Sequence, residues 1–179
     1  MFGLSEPKQP DALDLLQQDH AEVDDMFKEY EESKLNAEGA TKAAHVAMIC
    51  TALTIHARIE EEIFYPAVRG GSRELDDLLN EAAVEHQSLK DIIGRLEAAP
   101  PSDPLYDAGV KVLSEYVKHH VDEEEGELFP KVRKLELDLR ELGQRLMTRK
   151  EELEGVPQPT DARNGTQPHP DQREARQTS

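Results

Sequence analysis

The chain has little of several features that would point to other classes of protein. Its 179 residues include one cysteine, Cys50, no tryptophan and only 4% aromatic residues. A single cysteine excludes an intrachain disulfide and any zinc or iron–sulfur site built from cysteines. No apolar run is long enough to span a bilayer, and the first ten residues lack the basic start and apolar stretch of a secretory signal. These absences predict a cytoplasmic protein without a membrane partner.

Positive charge is also scarce. Lys and Arg number 21 against 38 Asp and Glu, which gives a formal net charge of -17. Phosphate backbones and anionic lipid head groups repel such a surface, so nucleic acid is not an expected partner. With 33% charged residues and few aromatics, the composition favours a well-solvated helical protein.

Apolar residues recur at steps of three and four along four long stretches, which is the spacing of one helix face. These stretches cover residues 11–36, 41–68, 72–98 and 103–131. Their connections are short, which predicts an all-α fold built on an antiparallel up-down-up-down four-helix bundle. The expected parts are the bundle at 11–131, an extra C-terminal helix at 132–154, and a disordered tail at 155–179, which is rich in proline and polar residues.

Each helix carries polar residues at positions where its apolar stripe should continue. They are His20, His56, Glu60, His86, His120 and Glu124. A single histidine on such a stripe is usually a hydrogen-bonded core residue, but one in every helix is hard to explain by packing. An ionised glutamate on the stripe is strongly unfavourable unless its charge is compensated. A bound cation compensates it best, because only Lys90 lies near these positions on the facing stripes.

The same residues follow an internal repeat. In the second and fourth helices the glutamate lies four residues after the histidine, so both side chains lie on one helix face and can point at one centre. The segment 56–66 repeats at 120–130, with His, Glu-Glu, an aromatic residue and Pro at the same offsets. The chain therefore looks like two helical hairpins that each give two histidines and one glutamate to a shared centre.

This pattern resembles the hemerythrin-like family, also called the HHE cation-binding domain, over roughly residues 11–131. The residues that carry it are Asp19-His20, His56-x-x-x-Glu60-Glu61 with Phe64-Tyr65-Pro66, Glu85-His86, and His119-His120-x-x-x-Glu124-Glu125 with Leu128-Phe129-Pro130. The resemblance implies two non-haem iron ions held by the six stripe residues, with Glu60 and Glu124 as bridges. The Glu-x-x-His order of ferritin-like proteins is reversed here, and the His-Glu-x-x-His zinc motif is absent.

Two positions depart from the oxygen-carrying members of that family. Lys90 stands where they have a further histidine in the third helix, which leaves a position open to water or a small molecule. The carriers also place the fourth-helix carboxylate five residues after its histidine, so Glu125 competes with Glu124 as the ligand. The corresponding residue of the second helix, Glu61, is expected beside the site or on the surface.

Several other residues are assigned to structure rather than to the centre. Tyr65 and Tyr116 are within reach of it as hydrogen-bond donors, although packing is their more common role. His119 should face outward, a third of a turn from His120. His45 lies too far along its helix to take part.

Three functions remain open from the sequence. The first is a di-iron protein that binds or senses dioxygen, nitric oxide or peroxide, or that senses iron. The second is a peroxide-consuming, catalase-like redox enzyme, which is motivated by the position that Lys90 leaves open. The third is a helical interaction domain without metal.

Overall fold

The computed structural model describes residues 10–155. Over that range the chain forms helices and no strand: α1 (Ala12–Ser33), α2 (Gly39–Ile59), α3 (Tyr65–Val68), α4 (Arg73–Ala98), α5 (Tyr106–Glu123), α6 (Phe129–Val132) and α7 (Leu139–Gly155). Two π-helical segments, Glu60–Phe64 and Glu124–Leu128, join α2 to α3 and α5 to α6. The all-α prediction is confirmed. None of these helices combines the length and apolar character that a membrane crossing requires.

Contacts between neighbouring helices show that they run antiparallel. Ser33 at the end of α1 lies 3.5 Å from His45, whereas Asp19 near its start lies 3.4 Å from His56. Residue numbers therefore rise along α1 as they fall along α2. The same antiparallel direction holds for α1 and α5 and for α4 and α5. It also holds for α4 and the continuous helix that α2 and α3 form with the π-helical segment between them. This is the arrangement that an up-down-up-down bundle requires.

The helix ends follow local chemistry. The four long helices begin and end within three residues of the predicted bounds, whereas the extra C-terminal helix begins at Leu139 rather than at residue 132. Gly70 adopts a φ of 84°, the left-handed region that glycine tolerates, just after the second long helix. The Ser72 side chain caps the N-terminus of α4. The fourth long helix begins at Tyr106 rather than at Asp103, because the Asp103 carboxylate accepts the Leu105 N–H and holds a turn there.

The interior consists of two apolar clusters with a polar layer between them. The first cluster includes Leu16, Phe64 and Leu79. The second includes Ile49 and Leu113. The residues that interrupt the apolar stripes lie in the layer between the clusters. Apart from Asp11 at the N-cap of α1, the buried charged and histidine side chains of the described residues belong to this layer.

Helix α7 completes the first cluster by packing on α1 and α2. Its buried leucines are Leu142, Leu146 and Leu153. Gly143 faces the backbone at the start of α1, where an added Cβ would lie 2.9 Å from the Ala12 nitrogen and 3.0 Å from the Asp11 carbonyl carbon. The two helices therefore approach more closely at this point than a side chain on residue 143 would allow. The tail expected from residue 155 onward lies outside the described residues, apart from Gly155 at the end of α7.

Gly143→Ala should lower the free energy of unfolding by about 1–3 kcal/mol, because the new methyl group overpacks a contact made by backbone atoms. The matched control is Gly94→Ala on the exposed side of α4, where a Cβ meets nothing within 4 Å. That variant should gain about 0.5–1 kcal/mol from better helix propensity. Urea unfolding followed by circular dichroism measures both; equal stability of the two variants would contradict the described docking of α7.

Candidate metal centre

The six side chains that interrupt the apolar stripes meet in the polar layer. Each is at most 7% exposed, and Glu60 is completely buried. Their nitrogen and oxygen atoms form two groups whose members all lie within 4.8 Å of one another. One group is His20, His56, Glu60 and Glu124, and the other is Glu60, His86 and His120. Each group has the atom types and the spacing to hold a metal ion.

The inner Nε2 atoms of the histidines face each other in pairs. They are 3.1 Å apart in the pair His20 and His56, and 3.1 Å apart in the pair His86 and His120. Two nitrogens that bind one ion at about 2.1 Å and at a right angle are separated by about 3.0 Å. The spacing in each pair therefore suits one ion.

Each glutamate lies between the two histidine pairs. The Glu60 Oε2 atom is 3.3 Å from the Nε2 of His56 and 3.4 Å from the Nε2 of His86. Glu124 occupies the corresponding place in the other half, with Oε2 at 3.4 Å and 3.7 Å from the remaining two histidines. Both carboxylates thus lie close to one nitrogen of each histidine pair and would be shared if each pair held an ion.

Three carboxylate oxygens at the centre are buried and accept no hydrogen bond from residues 10–155. Both Oε atoms of Glu60 and the Oε2 atom of Glu124 have no hydrogen-bond partner within the described residues. Burial disfavours the ionised form of Glu60, but the imidazoles of His56 and His86 outweigh it and hold its pKa well below the usual range. A charged, buried carboxylate surrounded by imidazole nitrogens is a donor set for a transition metal ion.

Neighbouring carboxylates raise the pKa of two of the site histidines, His56 and His86. Burial favours the neutral form of His56, but the Glu60 and Asp19 carboxylates outweigh it and raise its pKa to about 10. For His86, burial is likewise outweighed by the neighbouring Glu60 and Glu61 carboxylates, and its pKa rises to about 9. Metal binding at this site must release protons, since only neutral imidazole ligates a metal.

A second set of carboxylates holds the outer ring nitrogen, Nδ1, of each histidine. The pairs are Glu125 with His20 at 2.8 Å, Asp19 with His56 at 3.4 Å, Glu61 with His86 at 2.9 Å, and Glu85 with His120 at 2.7 Å. Carboxylates in this position orient a metal-binding imidazole and raise its basicity. Asp19 and Glu85 each contact a histidine of their own hairpin, whereas Glu61 and Glu125 each contact a histidine of the other hairpin. The two halves are therefore alike in these outer contacts as well as in the repeated sequence.

The π-helical segments explain how consecutive glutamates can both face the centre. The Tyr65 N–H bonds to the carbonyl of Glu60, five residues earlier, instead of the usual four. The next residue, Pro66, has no N–H, so it cannot donate a backbone hydrogen bond at this turn. The widened turn directs Glu60 to the inner nitrogens and Glu61 to an outer one. Residues 124–130 repeat this arrangement.

The structure separates the competing carboxylates by position. Glu124 lies among the inner nitrogens, whereas Glu125 pairs with the outer nitrogen of His20. Glu61 occupies the equivalent outer position in the other half. Tyr65 does reach the centre, where its hydroxyl donates to Glu124 Oε1 at 2.8 Å.

The remaining residues weighed from the sequence lie away from the inner nitrogens. Tyr116 is half-buried against the second apolar cluster. The His119 side chain is 63% exposed. His45 lies opposite the far end of α1. The Lys90 ammonium lies 2.7 Å from both oxygens of Glu61, at the surface rather than inside the centre.

The sequence analysis quoted Asp19 and Glu85 as part of the family pattern but assigned neither a role at the site. Both lie at the outer nitrogens, on His56 and His120 respectively. Each directly precedes a site histidine in its own hairpin. An acid–histidine dipeptide at corresponding places in both halves was the signal that could have identified them.

Open space adjoins the centre on two sides. A cavity of about 20 Å³ is lined by the four histidines and by apolar side chains that include Val23, Leu53 and Leu89. That volume holds one water-sized molecule. A wider groove of about 680 Å³ between α1 and α5 reaches from the surface to His20 and Glu125.

Comparison with known proteins agrees with this geometry. The model of the hemerythrin HHE cation binding domain matches residues 11–132, and the chain belongs to this family. It is 27% identical over 151 residues to the uncharacterized protein Rv2633c of Mycobacterium tuberculosis, which covers 82% of this chain and 89% of that one. The crystal structure of an HHE domain-containing homologue of Rv2633c from Mycobacterium kansasii superimposes with a TM-score of 0.70 at 27% identity, over 82% of this chain and 89% of that one.

A further relative is longer than this chain. A DNA nickase from Nostoc sp. (strain PCC 7120) is 31% identical over 125 residues, which is 67% of this chain. The match spans only 33% of that protein's length. The likeness therefore concerns one part of the nickase.

Replacing both inner carboxylates, by Glu60→Ala with Glu124→Ala, should abolish metal binding because both candidate metal sites lose their carboxylate ligands. The matched control is Glu62→Ala with Glu127→Ala, which removes two exposed glutamates from the same π-helical segments. Metal analysis of protein purified from an iron-supplied culture measures the result, with circular dichroism to show that both variants stay helical. Full iron occupancy in the first variant would refute the ligand assignment.

Proposed function

We propose that this protein holds two iron ions in its bundle and binds or senses a small molecule such as dioxygen, nitric oxide or peroxide. The observation that carries the proposal is the pair of buried carboxylates, Glu60 and Glu124, set among inward-facing imidazole nitrogens. Three of their four oxygens have no hydrogen-bond partner within the described residues. A cation supplies the compensation that these charges need.

The donor set favours iron among the metals that proteins use. His20 and His56 would hold one ion and His86 and His120 the other, with the two carboxylates shared. Mixed imidazole and carboxylate ligation with positions left open is typical of non-haem iron sites that react with oxygen. Bound iron would supply reversible one-electron chemistry and a place for a small oxidant. The chain would supply orientation, burial and proton control.

The surroundings of the centre limit what can bind there. The adjoining cavity of about 20 Å³ has almost entirely apolar walls beyond the histidines, so it suits a small, weakly polar molecule. Burial and the Glu60 and Glu124 carboxylates raise the pKa of Tyr65 well above its usual value. The hydroxyl therefore stays protonated and remains a hydrogen-bond donor at the edge of the centre.

Mixing the reduced, iron-loaded protein with dioxygen or nitric oxide in a stopped-flow spectrometer should produce a charge-transfer band. Leu53→Phe should retain the iron but weaken or slow this response, because the larger ring fills the cavity. Ile92→Phe is the control, since Ile92 packs against the second apolar cluster and does not line the cavity. Absence of any spectral change in the wild-type protein would refute small-molecule binding.

Peroxide breakdown is a second candidate function, favoured by the position of Lys90. Its ammonium binds Glu61 at the surface, so it does not replace the histidine that oxygen carriers have at this place. The ion held by His86 and His120 would then keep an open coordination position that peroxide can occupy. Turnover of peroxide by the iron-loaded protein should exceed that of an equal concentration of free iron salt, measured as oxygen release. A rate no higher than that of the free salt would remove this candidate.

The other expectations from the sequence stay predictions. The net charge of -17 still argues against a nucleic-acid partner, and the name of the nickase relative describes a protein three times the matched length. A cytoplasmic location is likewise proposed from the sequence. A metal-free interaction domain is the alternative that metal analysis would reveal.

A further inference from the structure

We propose that Lys150 in α7 is a positioning residue of the metal centre, acting through Asp19 on His56. The inference rests on the proposed metal-binding function, but its test is arranged to give a separate answer. Helix α7 lies beyond residues 11–132, the part of the chain that the family model matches. A role for Lys150 would make this added helix part of the centre.

The packing of α7 fixes where Lys150 lies. Gly143 is pressed against the backbone at Ala12, with no room for a Cβ. Lys150 follows Gly143 by seven residues, and Asp19 follows Ala12 by seven. Seven residues are about two helical turns, or about 10.5 Å. The two helices therefore run parallel, and the close contact at Gly143 sets the register that brings Lys150 to Asp19.

Lys150 makes a short, sheltered ion pair with Asp19. Its Nζ lies 2.6 Å from Asp19 Oδ1, and the side chains are 25% and 7% exposed. The other acidic neighbour, Glu22, is 4.0 Å away and 51% exposed. The second oxygen of Asp19, Oδ2, lies 3.4 Å from His56 Nδ1. One carboxylate thus joins the α7 ammonium to the outer nitrogen of a candidate ligand.

The equivalent position in the other hairpin is held differently. Glu85 Oε2 lies 2.7 Å from His120 Nδ1, and its other oxygen lies 3.8 Å from the Nε2 atom of the exposed His119. No lysine or arginine of the described residues pairs with Glu85. Glutamate has one more methylene than aspartate, so it reaches its histidine unaided. Asp19 is shorter and is held from the other side by Lys150.

The ion pair should therefore govern the orientation of the His56 ring. Without the ammonium, Asp19 Oδ1 would lose its partner in a sheltered place, and the carboxylate would be free to rotate away from His56. Carboxylates that orient metal-binding histidines contribute about 10–100-fold to metal affinity. The half of the centre that contains His20 and His56 would then depend on the docking of α7, and the other half would not.

The test compares Lys150→Met, Lys150→Arg and Arg149→Met in the full-length chain. Methionine keeps the length of the side chain without its charge, and arginine keeps the charge. Arg149→Met is the matched control, because Arg149 directly precedes Lys150 on α7 but pairs with Glu62 instead of Asp19. The first readout is the Nδ1 proton resonance of His56 in the metal-free protein, measured by nuclear magnetic resonance.

In Lys150→Met this resonance should shift or exchange faster with water, while that of His120 stays in place. Lys150→Arg should restore most of the signal, and Arg149→Met should leave it unchanged. Iron titration should show one of the two dissociation constants raised about tenfold in Lys150→Met. A His56 resonance that stays at the wild-type position, or that moves equally in Arg149→Met, overturns the proposal. Failure of the wild-type protein to bind iron would refute the proposed function, and the resonance would still decide the role of Lys150.

Discussion

The charge of two buried carboxylates is the constraint on which the rest of this structure depends. Glu60 and Glu124 lie at the centre of the bundle, 0% and 2% exposed. Removing such charges from water is unfavourable by several kcal/mol for each ion unless a partner compensates. The apolar clusters above and below the polar layer make that burial possible, and the histidines turn it into a site with affinity for a cation. The proposed function follows from this one need for compensation.

A duplicated hairpin supplies both halves of the centre, yet the halves are not equal. Each gives two histidines, one inner glutamate and two outer carboxylates. Each also has a π-helical segment shortly before a proline. Tyr65 in one half corresponds to Phe129 in the other, so only one half brings a hydroxyl to the inner carboxylates. Helix α7 packs against the first hairpin, where Lys150 pairs with Asp19. If the centre holds two ions as proposed, these differences would let them differ in affinity and reactivity.

Periodicity in the sequence was sufficient for the bundle and for the six inward residues, because a regular helix repeats its face every three to four positions. The interruptions at His20 and Glu60 were visible for that reason. The outer positions of Glu61 and Glu125 were only partly predicted: Glu61 was expected beside the site or on the surface, and Glu125 competed with Glu124 as the ligand. A π-helical turn adds a residue and changes the phase of the helix, so periodicity could not decide between these places. The position of Lys150 could not be predicted either. Lys150 and Asp19 are 131 residues apart in the sequence, and only the packing of α7 on α1 brings them together. Periodicity within one helix contains no information about that packing.

The most direct measurement is anomalous X-ray diffraction at the iron absorption edge from crystals of the protein purified with iron. Two peaks should appear, one beside the Nε2 atoms of His20 and His56 and the other beside those of His86 and His120, with Glu60 and Glu124 between them. A map without iron at these nitrogens, or with iron held by other residues, would contradict the account.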